Sequence, residues 1–493
     1  MGRKASLLVF VVGATATGFM LFGPPLSRDG SGIWPRFLSD DANYDALEVH
    51  RARQGLEAST SPPISNEVPG TKVLPAGPPT EPVTTPTTPA ETSSTSLLPT
   101  AVTEPATASG YWPDFRGSLR DGRYRETPIL TSWPREGLRL LWKQPIGLGY
   151  ASFVIADGRA FTIEQRREQE VVTAYEVETG RELWAHGWDA EFVEFQGGNG
   201  PRATPTYHEG RIYALGALGE LRALDAASGA LQWRRNILID NDVSNLDWGM
   251  SAAPLVVDEK VIVLPGGRRG RSVVAYDAST GEEVWTSLDD RQAYTSPMMV
   301  TLGGVSQILV VSAERAMGLT VDEGRLLWKY PWVTQFGINA AQPLLLGNDR
   351  VFLSASYGHG AAVFEVTRQG EDFAVQTVWQ NNRMKNKFTS SVLHDGYIYG
   401  LDEAILACVD AATGELQWKG GRYGYGQILL AGEHLVVLTE DGDLALVSVT
   451  PDRHVELARF PAIDGRTWNH PVIAGGLLLV RNLREMAAFN LRP

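Results

Sequence analysis

One short unit recurs along most of this chain and limits its possible folds more than any other feature. It reads small-apolar-Asp-x-x-Thr/Ser-Gly-x-x-x-Trp. Clear copies run from Ala223 through Asp225 and Gly229 to Trp233, from Ala275 through Asp277 and Gly281 to Trp285, and from Cys408 through Asp410 and Gly414 to Trp418. A fourth, from Ala174 to Trp184, has Glu176 in place of Asp, and a looser fifth ends at Trp328. Degenerate copies end at Trp379, with an insertion around Arg368 to Asp372, and at Phe460, where Trp is replaced. Alternating apolar residues before the Asp predict a strand, and the Asp and Thr/Ser side chains can bond turn amides. The Gly supplies the positive φ that closes a short hairpin. The Trp on the next strand fills the gap between twisted sheets and needs one partner for its indole N–H.

A second block precedes each hairpin, as in Thr204-Pro205 to Tyr213 and Ser391 to Tyr399: a small or Ser/Thr-Pro opening, then two short apolar strands around a turn. Two hairpins make four strands per unit. The aromatics Trp142, Trp184, Trp233, Trp285, Trp328, Trp379, Trp418 and Phe460 follow one another at about the 40–50-residue period of a propeller blade. The last unit stops after three strands, while Leu138 to Trp142 is a lone strand with no hairpin before it. The expectation is therefore an all-β, eight-bladed β-propeller of four-stranded antiparallel blades over residues 111–493, its last blade completed by the early strand.

The formal net charge of −13 disfavours nucleic acid and anionic surfaces. Cys408 is the only cysteine, so no intramolecular disulfide exists, and it reads as a small apolar strand residue. Arg3 and Lys4 precede an apolar run from Ala5 to Phe22, which predicts a transmembrane anchor or signal segment over residues 1–28, with an uncleaved single-pass anchor in the inner membrane preferred. The propeller would then face the periplasm or the exterior. Residues 29–110 read as a juxtamembrane segment and linker. Scattered apolar residues from Trp34 to Glu57 suggest a short helix, and the Pro/Thr-rich stretch from Ser59 to Ser109 suggests a disordered tether reaching on the order of 100 Å.

The Ala-x-Asp-x-x-Thr-Gly-x-x-x-Trp pattern resembles the repeat of pyrroloquinoline-quinone (PQQ) propellers, the quinoprotein alcohol dehydrogenase-like superfamily. The opening Tyr111-Trp112-Pro113-Asp114-Phe115-Arg116-Gly117 is similar to the lead-in of its membrane and periplasmic members. The resemblance implies PQQ with Ca²⁺ as a cofactor in the dehydrogenases. Those enzymes carry an adjacent-cysteine disulfide that Cys408 alone cannot form.

In a propeller the segments entering each innermost strand surround one mouth of the channel. This places Asn199, Arg202, Trp248, Asn339, Lys385, Lys387, Arg422, Tyr425, Arg466 and His470 as candidate ligand contacts. Arg202, Lys385, Lys387, Arg422 and Arg466 would form a basic ring suited to an anionic small molecule, unless each is paired with acidic neighbours. Asp247, Asn339 and Asn199 offer oxygen ligands for Ca²⁺, but at a spacing that matches no calcium motif. No catalytic triad, carboxylate pair or metal-ligand set is recognisable. The functional expectation is a membrane-tethered, non-catalytic scaffold for an envelope protein or polymer, without a cofactor; the alternative is a quinone-dependent oxidoreductase.

Overall fold

In the computed structural model, residues 26–28, 33–35, 40–56 and 110–493 are described. The apolar run 5–22 and most of the Pro/Thr-rich stretch lie outside them. No helix among the described residues is long and apolar enough to cross a membrane.

Residues 140–490 form eight antiparallel blades around a central channel. Blade one comprises Val154–Ala156, Arg159–Arg166, Gln169–Glu176 and Glu182–Asp189, from the centre outward. Six further blades follow in chain order. Blade eight closes the ring as the lone strand predicted: Val472–Ala474, Leu477–Arg481 and Glu485–Asn490 accept Leu140–Pro145 as their outer strand, with Ala488 opposite Trp142. The connections from each outer strand to the next inner strand lie on one face of the ring, termed the mouth face. The Asp-to-Gly hairpin turns lie on the other.

The turn chemistry follows the sequence reading. Asp225 Oδ1 accepts hydrogen bonds from Ser228 N (2.8 Å) and Ser228 Oγ (2.6 Å), and Asp410 does the same for the Thr413 amide and hydroxyl. The structure adds a second reason for the Gly. Each repeat Trp lies under the turn of the following blade, so that a Cβ on Gly229 would stand 2.6 Å from Trp184 and one on Gly281 2.7 Å from Trp233. The indole N–H donates to a carbonyl in that same turn: Trp142 to Val177 (2.9 Å), Trp184 to Ala226 (3.2 Å), Trp233 to Ala278 (2.9 Å), Trp285 to Val321 (3.1 Å), Trp379 to Ala411 (3.0 Å) and Trp418 to Thr450 (2.8 Å). Gly229→Ala combines that overlap with a φ of 73°, so it should destabilise the protein by about 1–3 kcal/mol, measurable by denaturant unfolding.

Two blades depart from this rule. Blade five has a long hairpin, Gly360–Gln369 with Asp372–Asn381, in place of the short turn, so Trp328 donates instead to Gln307 of its own blade. Gly318 stands opposite Trp328 because a Cβ there would meet both groups. In blade seven the register puts Ala458, not Phe460, at the Trp position. The ladder slips after Leu446 and Ala458, as it does after each small-residue/Trp pair elsewhere. Phe460 lies two residues further along on the same face and fills the gap against Gly137, Trp133 and Phe489. Cys408 is the small residue opposite Trp418, fully buried, and burial raises its thiol to about 11.

The helix expected between Trp34 and Glu57 runs from Asp40 to Arg53 and packs on the seam between blades eight and one. Tyr44, Leu47 and Arg51, spaced three and four apart, form its buried face. Arg51 meets Glu182 at 3.0 Å, and Glu182 also receives Arg166 at 2.8 Å. Burial works to raise the Glu182 carboxyl, but Arg166 and Arg51 outweigh it and hold the group below its ordinary range. A carboxyl depressed in the folded state adds stability that is present above its unfolded pKa and is lost as pH falls through the folded value. Acidification below about pH 4 should therefore loosen this helix before the blades, seen as hydrogen exchange over 40–53 rising first. Protection lost together with the blades would contradict it.

The docked helix also changes what the Pro/Thr-rich stretch can do. Its flanks, Leu56 and Gly110, both belong to segments fixed on the propeller: Gln54 accepts from the Glu182 amide at 3.1 Å, and Gly110 sits against Gly475. The stretch itself lies outside the described residues; returned to the ring at both ends, it does not set the distance between the ring and the chain before Asp40.

Candidate functional site

The channel is not open. Residues 111–124 enter it from the hairpin face as a plug that ties seven of the eight blades together. Trp112 exchanges backbone hydrogen bonds with Ile155 of blade one (both 2.8 Å), and the Tyr207 amide of blade two donates to Pro113 O at 2.8 Å. The Arg120 guanidinium donates to Thr206 of blade two, to Ala253 O (3.2 Å) and Pro254 O of blade three, and to Pro297 O (2.8 Å) of blade four, and it pairs with Asp114 at 2.6 Å. Arg116 donates to Ser390 O and Ser391 O ahead of blade six. Gly122 O accepts from Leu430 of blade seven, beside which Arg123 and Tyr124 add a short parallel strand. Trp112 stacks on His470 at the entry to blade eight, with ring centroids 6.4 Å apart. Arg116 and Arg120 are 1% and 2% exposed and adopt φ of 67° and 54°, a left-handed conformation that persists only because these bonds fix it.

Above the plug, toward the mouth face, lies a cavity of about 1050 Å³ floored by Phe115 and His470. Its wall is aromatic. Tyr150 stacks on Trp468 (5.3 Å between centroids), Trp468 meets Phe388 (4.6 Å), Trp248 meets Tyr294 (5.7 Å) and Phe336 meets Tyr357 (6.3 Å). Burial raises the hydroxyls of Tyr294 and Tyr357 to about 12, so both remain neutral donors. Gln292 lines the same space, 4% exposed, and neither end of its amide has a hydrogen-bond partner among the described residues. A buried amide in that condition is an offer of one acceptor and two donors to whatever enters.

Of the ten residues expected at the mouth, Arg202, Trp248, Lys387 and His470 line this cavity. They do not form a basic ring. Arg202 is turned into its own loop, donating to Gly198 O and Gly200 O with its guanidinium 4.5 Å over Phe192, and burial lowers it to about 10. Lys387 stands 4.3 Å over the Tyr425 ring, and the Tyr425 hydroxyl donates to Glu403 at 3.3 Å. Arg466 donates to Gly197 O (2.6 Å) and covers Trp468 at 4.4 Å. Lys385 pairs with Asp402 at 3.5 Å, and Arg422 is exposed at the end of the outer strand Leu416–Arg422, away from the channel because the strand continues past its expected end.

His470 is buried, neutral and structural: burial and the neighbouring Arg116 hold its pKa well below the usual value, and Nε2 faces Ile428 O at 3.1 Å. Of the oxygen ligands proposed for Ca²⁺, Asp247 lines the cavity and Asn199 and Asn339 do not. Asn199 Oδ1 accepts from the Glu194 amide, whereas Asn339 Nδ2 donates to Ser312 O at 2.8 Å and its buried Oδ1 has no hydrogen-bond partner among the described residues.

Tyr150, Tyr294, Tyr357 and Gln292 were absent from the expectation. Tyr150 and Tyr294 precede the inner strands of blades one and four, so the rule that found Trp248 reaches them too. Tyr357 follows a second strand, on a connection the rule ignored.

Comparison with known proteins agrees with this geometry. The family described as outer membrane protein assembly factor BamB matches residues 167–420. BamB of Shewanella oneidensis is 24% identical over 315 residues, covering 59% of this chain and 75% of that protein. The 1-butanol dehydrogenase (cytochrome c) of Thauera butanivorans is 28% identical over 181 residues, covering 34% of this chain but only 25% of the enzyme. Among solved structures, BamB from Moraxella catarrhalis superposes with a TM-score of 0.51 at 14% identity, covering 72% of this chain and 98% of that one. Quinohemoprotein alcohol dehydrogenase from Comamonas testosteroni superposes with a TM-score of 0.55 at 13% identity, covering 77% and 80%. A plugged eight-bladed ring with these repeats, matched by that family across half its length, belongs to the PQQ-like β-propellers of the quinoprotein alcohol dehydrogenase-like superfamily.

Proposed function

We propose that this protein is a membrane-tethered, non-catalytic binding module whose working surface is the aromatic mouth and the cavity beneath it. The observation that carries the reading is the state of the basic groups: Arg202 and Arg466 are bound to loop carbonyls, Arg291 donates to Phe336 O at 3.0 Å, Lys385 pairs with Asp402, and Lys387 lies over the Tyr425 ring, so each of these charges is already engaged within the fold. What the mouth presents instead is ring faces and apolar rim, the surface of an interaction site rather than a reaction centre. The plug supports this, since it closes the channel and turns it into a one-sided pocket. Similarity to the propellers named outer membrane protein assembly factor BamB points to an envelope protein or polymer as the occupant. The anchor rests on Arg3, Lys4 and the run to Phe22.

The test is site-specific photo-crosslinking in intact cells. A crosslinker at Trp248 or Tyr357 should give a discrete adduct that Gln292→Ala weakens, whereas one at Ser228 on the opposite face should give none. Equal labelling from both faces would overturn the assignment. Gln292 favours a second reading, a quinone held in the cavity without the disulfide, which substrate-dependent dye reduction by the PQQ-loaded protein would separate from the first.

A further inference from the structure

The large exposed apolar side chains are unevenly distributed. The four most exposed are Ile239 (78%), Phe195 (69%), Val333 (60%) and Phe336 (60%), ahead of Leu119 in the plug (56%) and Val49 on the helix (52%). Those four lie on the outer-to-inner connections after blades one, two and four, around the cavity mouth, as does Val193. A cluster of this kind marks a surface that meets either protein or lipid.

The path of the chain decides between them. The helix Asp40–Arg53 enters from the mouth face: Asn43 Nδ2 donates to Ile146 O at 3.0 Å, where the chain leaves blade eight, and Asp45 meets Arg167 on a mouth-face connection of blade one. The helix then ends near the hairpin turn of blade one, where Gln54 meets Glu182. Whatever precedes Asp40 therefore departs on the side of the mouth. Between Phe22 and Asp40, Leu26–Arg28 pairs antiparallel with Ile33–Pro35, which brings the chain back to within about 5 Å of where it left. The four steps from Phe22 to Leu26 and the five from Pro35 to Asp40 add at most about 32 Å. The apolar run thus ends within roughly 40 Å of the helix start, a tether short enough to hold the mouth at high effective concentration against the surface it is anchored in.

We infer that the mouth rim docks on the bilayer, with Phe195, Ile239, Val333 and Phe336 entering the headgroup region and the cavity opening toward the membrane. This rests on the anchor assigned under Proposed function. The contact is apolar rather than electrostatic, because the chain carries a net −13, and added salt does not weaken it. The occupant of the cavity is then an amphiphile or a segment at the membrane surface, reached without crossing bulk solvent.

The test uses the full chain reconstituted into phosphatidylcholine vesicles. Cys408 is fully buried, so single cysteines at Phe195, Ile239 or Val333, and at Ser228 or Ser279 on the hairpin face as controls, accept a polarity-sensitive dye selectively. The mouth sites should be quenched severalfold more by nitroxide-labelled lipid than the controls, equally at low and high salt. In a second variant, Ile239→Asp with Phe336→Asp should reduce quenching at Val333→Cys without altering unfolding. Flotation with the vesicles reports separately on the anchor. Chains that float with no preferential quenching at the mouth overturn the docking alone. Chains that do not float overturn the anchor and the docking with it. Mouth dyes protected only when a second envelope protein is added assign the rim to a protein partner and overturn the inference.

Discussion

Arg120→Ala is expected to destabilise the ring by about 3–5 kcal/mol, the usual penalty for removing one partner of a buried ion pair. The guanidinium is 2% exposed, pairs with Asp114 at 2.6 Å and donates to carbonyls entering blades three and four. Its loss leaves the Asp114 carboxylate buried beside unsatisfied carbonyls, and burial already raises that carboxyl above its ordinary range against the pull of Arg120. Arg120→Lys should recover little, because one ammonium cannot reproduce a planar fork aimed at several acceptors. Denaturant unfolding checks both, and a loss below about 1 kcal/mol for the alanine variant would show that the plug is an ornament of the channel rather than its hub.

The second large effect concerns closure. Deletion of residues 1–109 removes the docked helix but keeps plug and closing strand, so a folded, monodisperse ring is expected. Deletion of 1–125 removes the whole plug as well and should give a weaker but closed ring. Deletion of 1–145 removes Leu140–Pro145, leaves Glu485–Asn490 as a bare edge and withdraws Trp142 from beneath the turn at Gly180. That chain should aggregate, since an unpaired edge templates further pairing. The buried Arg481, which staples blade eight to Thr162 (2.8 Å) and Gly147 O (3.0 Å), would have its second acceptor in the second residue of the shortened chain, no longer held by the closing strand. Indistinguishable unfolding midpoints for the 1–109 and 1–145 deletions would contradict closure by this strand.

The legible part of the sequence was the part that repeats. Asp225, Gly229 and Trp233 recur because each blade meets the next in the same way, so spacing alone yields strand count, turn type and closure. The plug does not repeat, and Arg116 and Arg120 look like ordinary surface charges until they are seen to serve carbonyls and a hydroxyl at four blade ends. The basic ring failed for a related reason. Placement near the mouth was correct for Arg202 and Lys387, but position in a loop does not reveal whether a guanidinium faces the pocket or the carbonyls of its own turn. Phe460 shows the limit on the repeat itself: Ala458 takes the Trp position and Phe460 lies two residues beyond it, which spacing to the next aromatic cannot show.

The claim of a binding module without quinone chemistry is tested most directly on the purified full chain incubated with PQQ and Ca²⁺, passed through a desalting column and assayed for dye reduction with alcohols and sugars. The account predicts no turnover above that of a Gln292→Ala, Trp248→Ala variant, whether or not some quinone is retained. Stoichiometric quinone retention with substrate-dependent dye reduction, abolished in that variant, would contradict it.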